Sequence, residues 1–164
     1  MQPSKLSETT PPKIPAHAQG IKEALTICNA GILLSAATGI RIGELCALKW
    51  SDFDFEKSTV TVRKTMQRIK NFDRTSATKV IISSPKSRTS LREIPIPEFL
   101  RAALVKLKSD NNSFMLTGSS KFVEPRTMQY RFKSILKKLN LPIVSFHSLR
   151  HMFATKCVAL GNLN

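Results

Sequence analysis

The period of the apolar residues changes twice along this chain. It is helical through residues 21–48, strand-like in separate segments between Thr59 and Ile96, and helical again in segments from Pro97 to Gly161. Such a chain is expected to set a few helices around a small sheet. Ile21, Leu25, Cys28, Ile32, Leu33 and Ala36 recur at helical intervals, and Gly39 is placed to end that helix in a left-handed conformation. A short second helix is expected from Ile42 to Leu48. Turn chemistry follows in Ser51-Asp-Phe-Asp-Phe, and Thr59-Val-Thr-Val alternates as a strand does. Val80-Ile-Ile and Leu91-Arg-Glu-Ile-Pro-Ile supply two more strands, and residues 83–90 between them read as a hairpin with Lys86 and Arg88 at its tip. The polar stretch from Gln67 to Thr78, with Arg68, Lys70 and Arg74, has no periodicity and reads as a long basic loop.

Pro97 opens a further helix with Phe99, Leu100, Ala103, Leu104 and Leu107 on one face. Another is marked by Met128, Phe132, Ile135, Leu136 and Leu139, with Arg131, Lys133, Lys137 and Lys138 outside. The last starts near Ser148 and runs through Phe153, Cys157 and Leu160 to Gly161. The expected fold class is α+β, mainly α, with a small three-stranded antiparallel sheet.

At 164 residues and 41% hydrophobic, the chain suits one cored domain. Residues 1–20, rich in Pro, Ser and Thr, read as a linker or disordered arm, and 21–164 as the domain. Lys and Arg total 26 against 11 Asp and Glu, a formal charge of +15. That excess points to a polyanionic partner, because each cation that neutralises a phosphate releases condensed counterions. No stretch approaches a membrane span. Cys28, Cys46 and Cys157 are odd in number, have no C-x-x-C spacing and sit among apolar residues, so they read as buried free thiols in a reducing compartment. The amino-terminus has no signal-peptide core, which makes the cytoplasm the expected location.

Arg41 follows Gly39 at a loop-to-helix junction, where its planar fork would suit two phosphate oxygens. Glu44, three residues on, either steadies that guanidinium or forms an ordinary surface ion pair with it. His147 and Arg150 are three apart, so one helical turn would aim both at the same point as a joint oxygen clamp. His147 and His151 have a spacing that zinc can use, but no acidic or third ligand accompanies them, and no metal or other cofactor is expected. Lys86 is either a catalytic ammonium on its hairpin or a turn lysine in water. Lys79, Arg88 and Arg92 are its neighbours in the sequence, and Arg92 either contacts DNA or braces the sheet.

In order, an arginine after a helix-ending glycine, a lysine in a β-hairpin and H-x-x-R-H opening an apolar helix resemble the catalytic domain of the tyrosine recombinases, the phage-integrase family. The likeness runs from about Leu25 to Gly161. Its text is Ala37-Thr-Gly-Ile-Arg-Ile-Gly-Glu-Leu, Leu48-Lys-Trp-Ser-Asp-Phe, Pro85-Lys-Ser-Arg, Arg92-Glu-Ile-Pro-Ile-Pro and His147-Ser-Leu-Arg-His-Met-Phe-Ala-Thr. It is most similar to integrases of conjugative transposons and prophages. The resemblance implies metal-free cleavage of double-stranded DNA at attachment sites, through a 3′-phosphotyrosyl link. Arg41 and Arg150 would then stabilise the charged phosphate, Lys86 would protonate the leaving oxygen, His147 would act as acid-base partner, and Glu44 would orient Arg41. Lys79, Arg88, Arg92 and Arg131 would be DNA contacts.

The family's tyrosine nucleophile should lie after the Arg150 helix, and Tyr130, the single tyrosine, stands before His147. The chain is therefore expected to be a domain cut before its nucleophile, cleavage-inactive and monomeric alone, with a parent that works as a tetramer on DNA. The alternatives are a non-catalytic DNA-binding remnant or regulator, and a type IB topoisomerase fragment.

Overall fold

The structure, a computed structural model, describes residues 27–71, 77–84 and 91–161. Five α-helices lie among these residues: α1 (Ile27–Thr38), α2 (Ile42–Ala47), α3 (Glu98–Leu107), α4 (Pro125–Lys138) and α5 (His147–Gly161). Between α2 and α3 come five strands: β1 (Phe53–Asp54), β2 (Thr59–Val62), β3 (Thr65–Lys70), β4 (Thr78–Ser83) and β5 (Arg92–Pro95). The α+β, mainly helical class is as expected.

The helices form where the apolar spacing requires and stop for local reasons. Gly39 ends α1 at φ 65°, a backbone conformation that costs glycine little. A Cβ there would also lie 2.5 Å from the Phe153 ring, so the glycine is what lets α5 approach. Pro97 caps α3, and Pro125 fills the first turn of α4, where its missing N–H costs nothing. Leu34 of α1, Leu45 of α2, Leu100 and Leu104 of α3 and Met128 and Phe132 of α4 meet Trp50, Val60, Val62 and Met115 in one core. Among the described residues, no helix is long and apolar enough to cross a membrane.

The strands depart from expectation in membership. β2 lies between β1 and β5, all antiparallel, with Val60 opposite Ile94 and Val62 opposite Arg92. The segment Val80-Ile-Ile pairs elsewhere: β4 joins β3 in a separate antiparallel ribbon, with Met66 opposite Ile82 and Arg68 opposite Val80. The start of the expected basic loop, Gln67 to Lys70, is thus part of strand β3, and its last residue, Thr78, opens β4. A two-stranded ribbon gains its ladder from its partner and buries little; in β3 Met66 alone is deeply buried, so no apolar alternation marks it.

Several side chains expected inside lie outside. Phe99 is 68% exposed, because the inward stripe of α3 is only as wide as Leu100 and Leu104. Cys157 and Leu160 are exposed along the far part of α5, where Leu149 is the one deeply buried residue. Cys46 is buried as expected, and Cys28 is partly so. Leu139 follows the end of α4 and is exposed.

Candidate functional site

Three of the sequence-predicted residues come together. Arg41, His147 and Arg150 line one open cavity of about 370 Å³, with Gly43, Thr65, Gln67, Arg68, Pro125 and Gln129 among its other walls. Arg41 stands in extended conformation at the start of α2, and His147 opens α5 with Arg150 one turn on. The two segments are tied directly, since Arg150 Nη1 donates to the carbonyl of Gly39, two residues before Arg41. The turn that ends α1 therefore also holds the second arginine. His147 is exposed, and the His151 ring meets it edge-on at 4.5 Å between centroids.

Behind Arg41 lies a buried ionic cluster. Glu44 accepts the Arg41 amide at 2.8 Å and Arg41 Nη1 at 3.2 Å. The amide contact satisfies one of the unpaired donors at the start of α2. Arg92 of β5 completes the cluster, donating from Nη1 to Oε1 at 3.0 Å and from Nη2 to Oε2 at 2.8 Å. The Glu44 side chain is 6% exposed, so the ordinary surface ion pair considered from sequence is not what forms. Burial alone would raise the Glu44 pKa. The Arg92 fork, the Arg41 amide and the two guanidinium groups outweigh that and hold it below the ordinary value, so the carboxylate stays ionised.

The other predicted residues fall outside this constellation. Arg92 has both terminal nitrogens on Glu44, a contact that ties β5 to α2. Arg131, exposed on α4, donates from Nη1 to Cys28 Sγ at 2.8 Å, and Lys79 lies exposed on β4. Lys86 and Arg88 lie outside the described residues. Tyr130 is exposed on α4, where Arg126 Nε donates to its hydroxyl at 3.2 Å. Cys46 is no rival nucleophile, since burial pushes its thiol up to about 12.

Sequence reasoning missed Arg68, which lines the cavity from β3, because the segment carried no strand signal. It also missed the use of Gly43. A Cβ there would meet the Met66 carbonyl oxygen at 2.7 Å and Thr65 Oγ1 at 2.8 Å, so this glycine admits β3 as a cavity wall. Two guanidinium groups and an imidazole on one cavity suit a ligand with several equivalent anionic oxygens, such as a phosphodiester.

The phage integrase family model matches residues 9–161. The chain belongs to the phage integrase family. This integrase-family chain is 32% identical over 162 residues to a XerC-like tyrosine recombinase of Caldanaerobacter subterraneus subsp. tengcongensis, a match covering 86% of it and 41% of that protein. It is 29% identical over 163 residues to tyrosine recombinase XerA of Pyrococcus horikoshii, covering 97% and 49%. Among solved structures, the Tn1549 transposon integrase in complex with circular intermediate DNA matches with a TM-score of 0.65 at 24% identity, over 94% of this chain and 56% of that one. At that identity the match speaks for the fold, which is that of a tyrosine recombinase catalytic domain. The chain spans less than half the length of these two relatives.

Proposed function

We propose that the cavity takes a phosphodiester of double-stranded DNA, and that the chain is the phosphate-activating part of a site-specific tyrosine recombinase. The observation that carries this is the convergence of Arg41, His147 and Arg150 on one cavity with an ionised Glu44 behind Arg41. In this reading Arg41 and Arg150 hold the non-bridging oxygens as negative charge grows during attack, which lowers the barrier by electrostatic stabilisation. His147 exchanges a proton at the phosphate, and Lys86 protonates the leaving 5′ oxygen, the role its resemblance to the family implies. Glu44 orients Arg41, and Arg92 keeps Glu44 in place. Arg131, Lys79 and Arg88 supply cations along the flanking DNA.

Tyr130 is not the nucleophile in this reading: its hydroxyl is engaged by Arg126, and its side chain is not among those lining the cavity. The attacking tyrosine in this reading is one outside these 164 residues, and its product is a 3′-phosphotyrosyl link. The chain alone is expected to be monomeric in the cytoplasm and to bind duplex without cutting it, and the intact recombinase to act as four protomers.

The test is a binding titration with duplex DNA, followed by incubation with a nicked attachment-site duplex. Binding should weaken steeply with salt, drop about tenfold or more in Arg41→Ala and Arg150→Ala, and give no covalent adduct. Salt-independent binding overturns the DNA reading. A covalent adduct lost in Tyr130→Phe overturns the placement of the nucleophile.

A further inference from the structure

A third arginine lines the cavity. Arg68 reaches it from β3, and its guanidinium is turned toward α4. Its Nε donates to Glu124 Oε2 at 3.1 Å, and Nη2 donates to Oε1 at 2.7 Å and to Oε2 at 2.6 Å. Its Nη1 donates to Thr78 Oγ1 on β4 at 2.7 Å. Glu124 immediately precedes Pro125, itself a wall of the cavity, and caps the start of α4. One carboxylate thus sits beside a site otherwise rich in positive charge.

We propose that Arg68 is a further phosphate-binding residue of this cavity, and that Glu124 is the carboxylate it exchanges for a DNA phosphate. The proposal rests on the DNA reading above.

Two carboxylates grip arginines of this cavity, and they differ in kind. Glu44 is 6% exposed and holds two arginines, so its carboxylate is closed to solvent even though Arg41 itself reaches water. Glu124 is 31% exposed and its Arg68 partner 46%, so water and a competing anion reach the pair. An exposed ion pair contributes little net stability, and its exchange for a phosphate therefore costs little. The fork that fits two carboxylate oxygens fits two phosphate oxygens equally. The Thr78 hydroxyl keeps the guanidinium anchored on the ribbon while Nε and Nη2 change partners. Glu124 is not stranded by the exchange, because a carboxylate at the start of a 14-residue helix is favoured by the helix dipole. Until DNA arrives, the same carboxylate repels a phosphate and holds Arg68 aside, so it acts as an electrostatic gate.

The test is salt-dependent binding of a short duplex, read by fluorescence anisotropy on the folded chain, with thermal melting of each variant. Removing a phosphate contact lowers the slope of log affinity against log salt by about 0.9. Arg68→Ala should show that loss of slope. Arg68→Lys should keep the slope and lose affinity, and because it retains the charge it serves if the alanine variant does not fold. Glu124→Gln should bind about two- to fivefold more tightly, the size of an exposed ion-pair effect, and that gain should vanish when combined with Arg68→Ala. An unchanged slope in Arg68→Ala, or weaker binding by a folded Glu124→Gln, overturns the assignment and makes the pair a fixed strut. Wild-type chain that binds no duplex at all sinks the DNA reading itself, whereas salt-sensitive wild-type binding with an unchanged Arg68→Ala slope sinks this inference alone.

Discussion

Glu44 shows how one side chain can link stability to a binding surface. It accepts hydrogen bonds from Arg41 and from both terminal nitrogens of Arg92 while almost fully buried. Glu44→Ala would leave Arg92 partly buried without its counter-charge, a change expected to cost about 3–5 kcal/mol in denaturant unfolding. The pH dependence follows from the lowered pKa. The folded state holds its proton less tightly than the unfolded chain, so the stabilisation is complete above the ordinary 4.5 and is lost as pH falls through the lower folded value. Unfolding of wild type across that acid range should therefore show a loss that Glu44→Gln lacks. Arg92→Ala separates its two possible uses. As a brace it should lower stability and leave the salt slope of DNA binding intact, whereas a slope reduced by about 0.9 would make Arg92 a phosphate contact.

The elements around the site are positioned by two glycines that a sequence reading weighs differently. Gly39 was legible, because a helix-ending glycine has a recognisable place after an apolar run. The use of Gly43 was not, because the backbone that presses on it belongs to β3, more than twenty residues away in sequence. Gly43→Ala should push β3 off α2 at a cost of about 1–3 kcal/mol, the usual range for overpacking, and should weaken DNA binding by moving the cavity wall. Melting and anisotropy measured on the same variant check both. The ribbon of β3 and β4 escaped notice for a related reason. Its stability comes from backbone pairing and the single anchor Met66, while Gln67, Arg68 and Lys70 stay at the surface.

In the proposed function, the charge of the chain as a unit sets how it meets DNA. An excess of 15 positive charges gives long-range attraction to any duplex, and the cavity cations add a local grip. If Arg41, Arg68 and Arg150 each neutralise a phosphate, affinity should fall about fortyfold between roughly 50 and 200 mM salt, with further loss from cations elsewhere. A titration across that range measures the number of phosphates engaged.

Composition and periodicity determined that this chain folds as helices around a small sheet and carries a large positive charge, and its two arginine segments resemble those of the phage integrases in their order. Local sequence can do this because helix caps, alternation and charge are properties of neighbouring residues. The partner of each polar side chain was settled in three dimensions. Arg92 and Arg68 are both arginines on strands, though the local sequence marks a strand only at Arg92, and neither segment names its partner. One finds a buried carboxylate on α2 and the other an exposed carboxylate at the head of α4. Burial of the acid distinguishes the two pairs, and burial exists only once distant elements have packed.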